Sequence, residues 1–293
     1  MKIADHEIGP AAPLFLVAEV GITAGGSVAR ACALVDAVAE AGAQAAKFIV
    51  TDPAQVMSRA EVPFTYETYA LGATARMTRS LYGLLAETRM TRDQWRLVQA
   101  HCHARGVVFF ATTDHLAGVW LLEELDVPAY KLSAWDIAYT PLLDAMRATF
   151  KPVLVDVGTC TREELFRAIP DEHNLLFVHD PHPHEGRDWQ MSRLRHFFRP
   201  DYPVGFASPG RESWCDFVAL GGGACLIEKR LTLRRDEPTG HHHAISLEPD
   251  EFAAWVREIR VAEAALREDP FLGSAHAWEQ RRKYDRDENG RQG

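Results

Sequence analysis

Short apolar runs alternate along this chain with longer segments in which apolar positions recur at helical spacing. Residues 14–20 are apolar, lie between Pro13 and Gly21, and predict a strand. Ser27 is placed to cap a helix running through Ala41, with Gly42 to end it, and residues 45–50 predict the next strand. Residues 52–90 break the rhythm. They predict an irregular connection with a short helix near 80–87, and so long a connection in a compact domain points to function. From Thr91 the alternation becomes regular. Helices are predicted over 91–105, 117–125, 141–149, 163–169, 192–198, 212–220 and 249–267; strands over 107–111, 129–132, 152–157, 175–178, 203–206 and 224–228.

Eight strands, each followed by a helix, imply a parallel sheet, and roughly 250 residues of such repeats is the size of a TIM barrel. The expected fold class is therefore α/β, a closed (β/α)8 barrel forming a single domain over residues 1–270, with a charged tail over 271–293. An open doubly wound sheet is the alternative. The segment after the first strand, Val20-Gly21-Ile22-Thr23-Ala24-Gly25-Gly26, lacks the GxGxxG spacing of a dinucleotide site, so no nucleotide cofactor is expected.

Composition narrows the classes of partner. A formal charge of -9 and a pI of about 5.8 argue against nucleic acid, which needs a basic face. No segment has the apolar length of a membrane span, and the first residues lack the basic head of a secretion signal. Five cysteines without a CxxC pair suit reduced thiols, and a cytoplasmic location is expected.

In a TIM barrel the chemistry sits at the C-terminal ends of the strands. Glu19, Lys47, Lys131, Asp156 and Glu228 all fall there, in runs where a barrel interior is normally Val, Ile and Leu. Buried ions cost several kcal/mol unless paired or ligand-bound, so these residues predict a polar site for a small anionic ligand. A buried ion-pair network that only holds the barrel together is the competing explanation. The two lysines can clamp a carboxylate or phosphate, or one can lose its proton and form a Schiff base. His115 lies just beyond Thr112 at another strand end. Histidines collect in two loops at the mouth, His179, His182 and His184 after the sixth strand and His241 to His243 after the eighth. Imidazoles converging from these loops, His179, His182, His184 and His242 in particular, can hold a divalent metal such as zinc, manganese, nickel or iron. Polar loop histidines, or proton-transfer groups without metal, are the alternative.

The strand ends also carry a resemblance. Ala18-Glu19-Val20-Gly21, Glu40-Ala41-Gly42-Ala43, Ala46-Lys47-Phe48, Phe109-Phe110-Ala111-Thr112, Val127-Pro128-Ala129-Tyr130-Lys131, Lys151-Pro152-Val153-Leu154, Ile227-Glu228-Lys229 and Ser246-Leu247-Glu248-Pro249 resemble, in one collinear order over about residues 13–268, the catalytic barrel of the N-acetylneuraminate (sialic acid) synthase family. That family condenses phosphoenolpyruvate with an aldehyde sugar, usually with a manganese-like metal. The resemblance implies an acid at Glu19 and anion ligands at Lys47, Thr112 and Lys131. It also shows departures. The two metal histidines of the family correspond to Pro209 and Arg230. Phosphate-binding serines correspond to Ala134, Asp156 and Ala207, and an asparagine and tyrosine to the neighbourhood of Pro181 and His182. A carboxylate at Asp156 repels a phosphate. The C-terminal antifreeze-like domain of the family is not expected. These features imply a divergent enzyme that forms or cleaves a C–C bond between a small keto acid or enol and an aldehyde. Glu19, Lys47, Lys131 and Asp156 would be catalytic, and Thr112, Arg230 and His115 would bind substrate. A homodimer is compatible with the resemblance. The alternatives are a non-catalytic ligand-binding or regulatory barrel and a lysine-based Schiff-base aldolase or decarboxylase.

Overall fold

The computed structural model describes residues 1–59, 61–70, 73–161, 163–165, 174–182, 188–197, 203–237 and 241–267, together with Glu279. Eight parallel strands close a barrel: β3 (Phe15–Glu19), β4 (Ala45–Val50), β7 (Val108–Thr113), β8 (Tyr130–Leu132), β9 (Val153–Asp156), β10 (Leu175–His179), β11 (Val204–Ala207) and β12 (Leu226–Arg230). β12 pairs with β3 to seal the ring, with Arg230 opposite Glu19. Around it pack α1 (Val28–Ala41), α4 (Arg92–Ala104), α5 (Leu116–Glu124), α6 (Thr140–Arg147), α7 (Ser192–Phe197), α8 (Trp214–Gly221) and α9 (Pro249–Arg267). The short helices α2 (Pro53–Val56) and α3 (Leu81–Ala86) flank the irregular region.

Local chemistry sets the element ends. The Ser27 hydroxyl accepts from the Arg30 amide at the start of α1, and Gly42 ends the helix in the left-handed region at φ 79°. Thr91 and Gln94 form a reciprocal capping box at the start of α4. The expected strand and helix order is the observed one, with ends shifted by a residue or two. Of the helix expected at 163–169 only 163–165 lie among the described residues, and the tail over 271–293 lies outside them apart from Glu279.

Two hairpins were not expected. A small hairpin, β1 (Lys2–Ile3) with β2 (His6–Glu7), tucks Ile3 and Ile8 against the interior residues Phe15, Leu154 and Leu226. The region expected to be irregular holds a longer antiparallel hairpin, β5 (Pro63–Ala70) with β6 (Ala73–Ser80). β5 alternates over a short stretch, with Phe64 and Tyr66 turned to the covered side and Thr65 and Glu67 exposed, whereas residues 75–80 of β6 are largely exposed. Thr65 and Thr78 share a hydrogen bond of 2.8 Å across it.

Alternation along the barrel strands decides which side chains reach the interior. Phe15, Val17, Ala45, Phe110, Ala129, Leu154, Leu176, Val178 and Leu226 form one buried interior cluster. Leu16, Ala18, Ala46, Phe48, Phe109, Val153, Val155, Phe206 and Ile227 belong to the second cluster, between strands and helices. Each large side chain so buried contributes about 1.5–3 kcal/mol, which makes the two clusters the main favourable term for the barrel. Continuing the interior series by two residues toward the strand ends brings Glu19, Lys47, Thr112, Lys131, Asp156, Asp180, Glu228 and then Arg230. The apolar interior therefore ends in a polar layer at the mouth.

Candidate active site at the barrel mouth

Strand register gathers this layer. Glu19 lies opposite Lys47, and Thr112 opposite Lys131. Glu19, Lys47, Lys131, Asp156 and Glu228 are each at most 5% exposed. Glu228 joins the two lysines. It accepts from Lys131 Nζ at 3.0 and 2.9 Å, and its Oε1 lies 3.0 Å from Lys47 Nζ. Lys47 Nζ also contacts Glu19 Oε2, while Glu19 Oε1 accepts from the Gly21 amide at 2.8 Å. Glu19, Lys47, Glu228 and Lys131 thus form one continuous chain of buried ions.

The lysines differ in charge state. Burial pulls Lys47 down to about 8, opposed by Glu228 and reinforced by the positive charges of Lys131 and Arg230. Burial also acts to lower Lys131, but Glu228, Asp156 and Asp180 outweigh it and hold this ammonium above the ordinary lysine value. Burial would raise Glu228, yet the two lysines hold it well below the carboxylate range. Asp156 is pushed well up by burial and then by the charge of Asp180; Lys131 opposes this.

Several polar atoms in this layer are open. Thr112 Oγ1, Arg230 Nε and Asp180 Oδ1 are sealed from solvent without a hydrogen-bond partner among the described residues. Arg230 Nη1 donates to the Ser208 carbonyl at 2.9 Å, and its Nη2 is 4.0 Å from Asp180 Oδ2. Buried groups of this kind are costly unless a ligand completes them.

The histidines expected to converge on a metal are spread out. His179 has the parity of Leu175 and Phe177 and turns toward the helix layer, where its Nε2 lies 3.0 Å from the Trp189 carbonyl and its ring 6.1 Å from Phe206. Burial pushes it below the usual histidine value. His182 is exposed and packs its ring 5.1 Å from Trp135. His241 sits edge-on to Phe64 and Tyr66 of the hairpin, at 5.2 and 5.9 Å. His242 is partly buried and is kept neutral by burial, then by His241, Arg230 and Lys47. His243 Nδ1 is 2.6 Å from Thr232 Oγ1. His184 lies outside the described residues. Among the described residues no cluster of three ligating side chains includes His179, or joins His182 to His242. His115 contacts Asp114 at 2.8 Å, and Asp114 also binds Thr51 at 2.5 Å, so His115 is held in a separate rim cluster.

Sequence reasoning offers Asp180 only as a possible further ligand beside the loop histidines, although its interior parity after Leu176 and Val178 marks it as a principal site residue. It also did not separate Lys229 from the mouth. Lys229 faces the helices, where its Nζ donates to Asp216 Oδ2 at 2.8 Å.

Fold and site together define a TIM barrel with a charged, incompletely satisfied mouth. The chain belongs to the NeuB family, whose match covers residues 34–270. It is 29% identical over 294 residues to the spore coat polysaccharide biosynthesis protein SpsE of Bacillus subtilis, covering 94% of this chain and 76% of that protein. It is 26% identical over 271 residues to the N-acetylneuraminate-9-phosphate synthase of Mus musculus, covering 88% and 73%. The crystal structure of the N-acetylneuraminic acid (sialic acid) synthetase of Leptospira borgpetersenii superposes with a TM-score of 0.80 at 21% identity, over 97% of this chain and 95% of that one, and shares the fold. The chain is thus a divergent, sugar-acid-synthase-like family member. No helix among the described residues is long and apolar enough to cross a membrane.

The position that the resemblance assigns to the family's metal does not fit one here. Proline at 209 offers no donor side chain, and Arg230 brings a permanent cation whose guanidinium is anchored on Ser208.

Proposed function

We propose that this chain catalyses aldol-type formation or cleavage of a C–C bond between a small 2-keto acid, or its enol, and an aldehyde. The observation that carries this reading is the buried chain of Glu19, Lys47, Glu228 and Lys131 at the strand ends. Lys131, kept charged, is suited to hold the keto acid's carboxylate, with the open donor of Thr112 opposite it in the register and that of Arg230 in the same polar layer. Lys47, at about 8, is the lysine that gives up its proton near neutral pH. It is placed to deliver a proton to the alkoxide that forms at the aldehyde, with Glu19 in contact to exchange that proton. If the carbonyl is captured covalently, Lys47 is the amine that adds to its carbon, and the carbonyl oxygen leaves as water. With no cation between them, Asp156 beside Asp180 disfavours a phosphate on that side of the mouth, which supports a keto acid over phosphoenolpyruvate.

Calorimetric titration with pyruvate, oxaloacetate and phosphoenolpyruvate tests the reading. A keto acid is expected to bind, and Lys131→Met to weaken it by about 100-fold, the scale of a lost buried ionic hydrogen bond. Failure of every keto acid to bind, or full affinity in Lys131→Met, overturns the assignment. Phosphoenolpyruvate with N-acetylmannosamine and manganese is expected to give no N-acetylneuraminate above background, and robust turnover would refute the loss of the family reaction. Borohydride trapping with pyruvate, followed by peptide mass analysis, is expected to mark Lys47 if the covalent route operates, and never Lys131.

A further inference from the structure

Beside the lysine–glutamate chain, three other side chains converge. Asp156 ends β9, Asp180 follows β10 directly, and His182 lies two residues on. Each offers one donor atom, and the three atoms lie within 4.8 Å of one another. Asp156 is 4% exposed and Asp180 8%, whereas His182 stands at the open edge. Asp156 Oδ1 accepts a hydrogen bond from the Gly158 amide at 2.8 Å. A side chain at 158 would collide with the Asp180 carbonyl, 1.7 Å from where its Cβ would stand, so glycine is what lets the two strand ends close up here.

Asp180 has no comparable support. Its Oδ1 is sealed from solvent without a hydrogen-bond partner among the described residues, and Oδ2 is 4.0 Å from Arg230, outside hydrogen-bond reach. Lys131 is the other cation facing the pair, and its hydrogen bonds go to Glu228. Among the described residues the polar layer of the mouth carries the carboxylates of Glu19, Asp156, Asp180 and Glu228 against Lys47, Lys131 and Arg230, an excess of one acidic group. Two buried carboxylates facing each other require a cation or a shared proton.

We infer that Asp156, Asp180 and His182 form a divalent-cation site, separate from the position where the family resemblance puts a metal. Two carboxylate oxygens and one imidazole are a mixed donor set suited to manganese, iron or zinc. A protein face of only three ligands leaves coordination positions for water or substrate. One divalent ion turns the excess negative charge of the mouth into a single positive one, which matches a mono-carboxylate. The site stands on the convergence of these side chains and does not depend on the keto-acid reading.

The test uses untagged protein stripped with a chelator and titrated with manganese chloride, the free ion being followed by electron paramagnetic resonance, with zinc chloride as competitor. Wild type is expected to bind manganese saturably and stoichiometrically. Asp180→Asn is expected to lose that binding. His182→Gln, an exposed position that keeps the fold, is expected to weaken it by at least about tenfold, as loss of metal-site support does elsewhere. His242→Gln is expected to bind as wild type does. Absence of stoichiometric binding of either metal to wild type overturns the site, and so does wild-type affinity in His182→Gln. A loss that follows His242→Gln instead moves the metal to the other histidine loop and equally overturns it. Because the readout needs no substrate, a failed metal titration and a failed keto-acid titration are separate results.

Discussion

Glu228 and Lys229 are consecutive residues of β12, both buried and both with ionisable side chains, yet they belong to two different networks. On the helix side Lys229 Nζ donates to Ser208 Oγ at 2.8 Å, to the Glu212 carbonyl at 2.7 Å and to Asp216 Oδ2 at 2.8 Å, using all its protons. Asp216 accepts in addition from Trp255 Nε1 at 2.8 Å. That network is complete and ties β12 to α8 and α9. On the interior side Glu228 is shared by two lysines, but around it Thr112 Oγ1, Arg230 Nε and Asp180 Oδ1 have no hydrogen-bond partner among the described residues. Buried charge alone therefore does not mark function in this barrel. What distinguishes the mouth is buried polarity left open, which is where a ligand has something to complete.

The largest effect separating the two networks is on stability. Lys229→Met leaves Asp216 buried and uncompensated, and is expected to cost about 3–5 kcal/mol in urea unfolding. Lys131→Met should cost less, under about 2 kcal/mol, because Glu228 keeps Lys47 and the mouth carboxylates can take up a proton. The ligand effect runs the other way, with keto-acid binding weakened by about 100-fold in Lys131→Met. If Lys131→Met unfolds the chain more than Lys229→Met does, the mouth is a structural network and the comparison fails.

A second effect follows from Lys47. Its folded value of about 8 lies below the ordinary 10.5, so between those values the unfolded chain holds the extra proton and stability rises with pH. The penalty for burying this charge is present below about pH 8 and relieved by about pH 10.5, a span worth about 3 kcal/mol. Buried thiols such as Cys102 and Cys215, pushed up to about 12 by burial, lower stability above pH 9 in any variant, so the quantity to read is a difference. Wild type should gain relative to Lys47→Met as unfolding is measured from about pH 7 to about pH 10. A constant difference across that range means that Lys47 is not held near 8.

Much of this contrast is legible in the sequence. The strand-end argument found Glu19, Lys47, Lys131, Asp156 and Glu228 because ions inside apolar runs stand out against a barrel's usual interior. Cap chemistry gave α1 and β4 almost to the residue. Pairing was not legible. That Glu228 bridges both lysines depends on register between β12, β4 and β8, which no local pattern encodes. His179 misled because sequence proximity to a strand end was read without parity; a step of one residue sends His179 to the helices and Asp180 to the interior, and of the loop histidines His182 alone joins a cluster of potential ligands among the described residues. The β5–β6 hairpin escaped because its apolar alternation is confined to a few positions, Phe64 and Tyr66 among them, within an otherwise polar stretch, and it is this face that engages His241.

The smallest expected effect is the sharpest. Thr112 follows Phe110 into the interior, and its hydroxyl is buried without a partner among the described residues. A hydroxyl so placed, if it only fills space, is a cost to the fold. Thr112→Val keeps the β-branched shape and removes the oxygen, so the empty protein should be unchanged or up to about 1 kcal/mol more stable. In the Lys229 network the corresponding change, Trp255→Phe, should cost about 1.5–3 kcal/mol, because it strips a bond from a charged and buried acceptor. With ligand present the order reverses. Thr112→Val should weaken keto-acid binding by about tenfold, roughly one hydrogen bond, while Trp255→Phe leaves affinity alone. Parallel melting curves with and without pyruvate read both quantities in one experiment. If Thr112→Val destabilises the ligand-free protein as much as Trp255→Phe does, the hydroxyl already serves the fold, and the open polarity of the mouth is not a signature of its ligand.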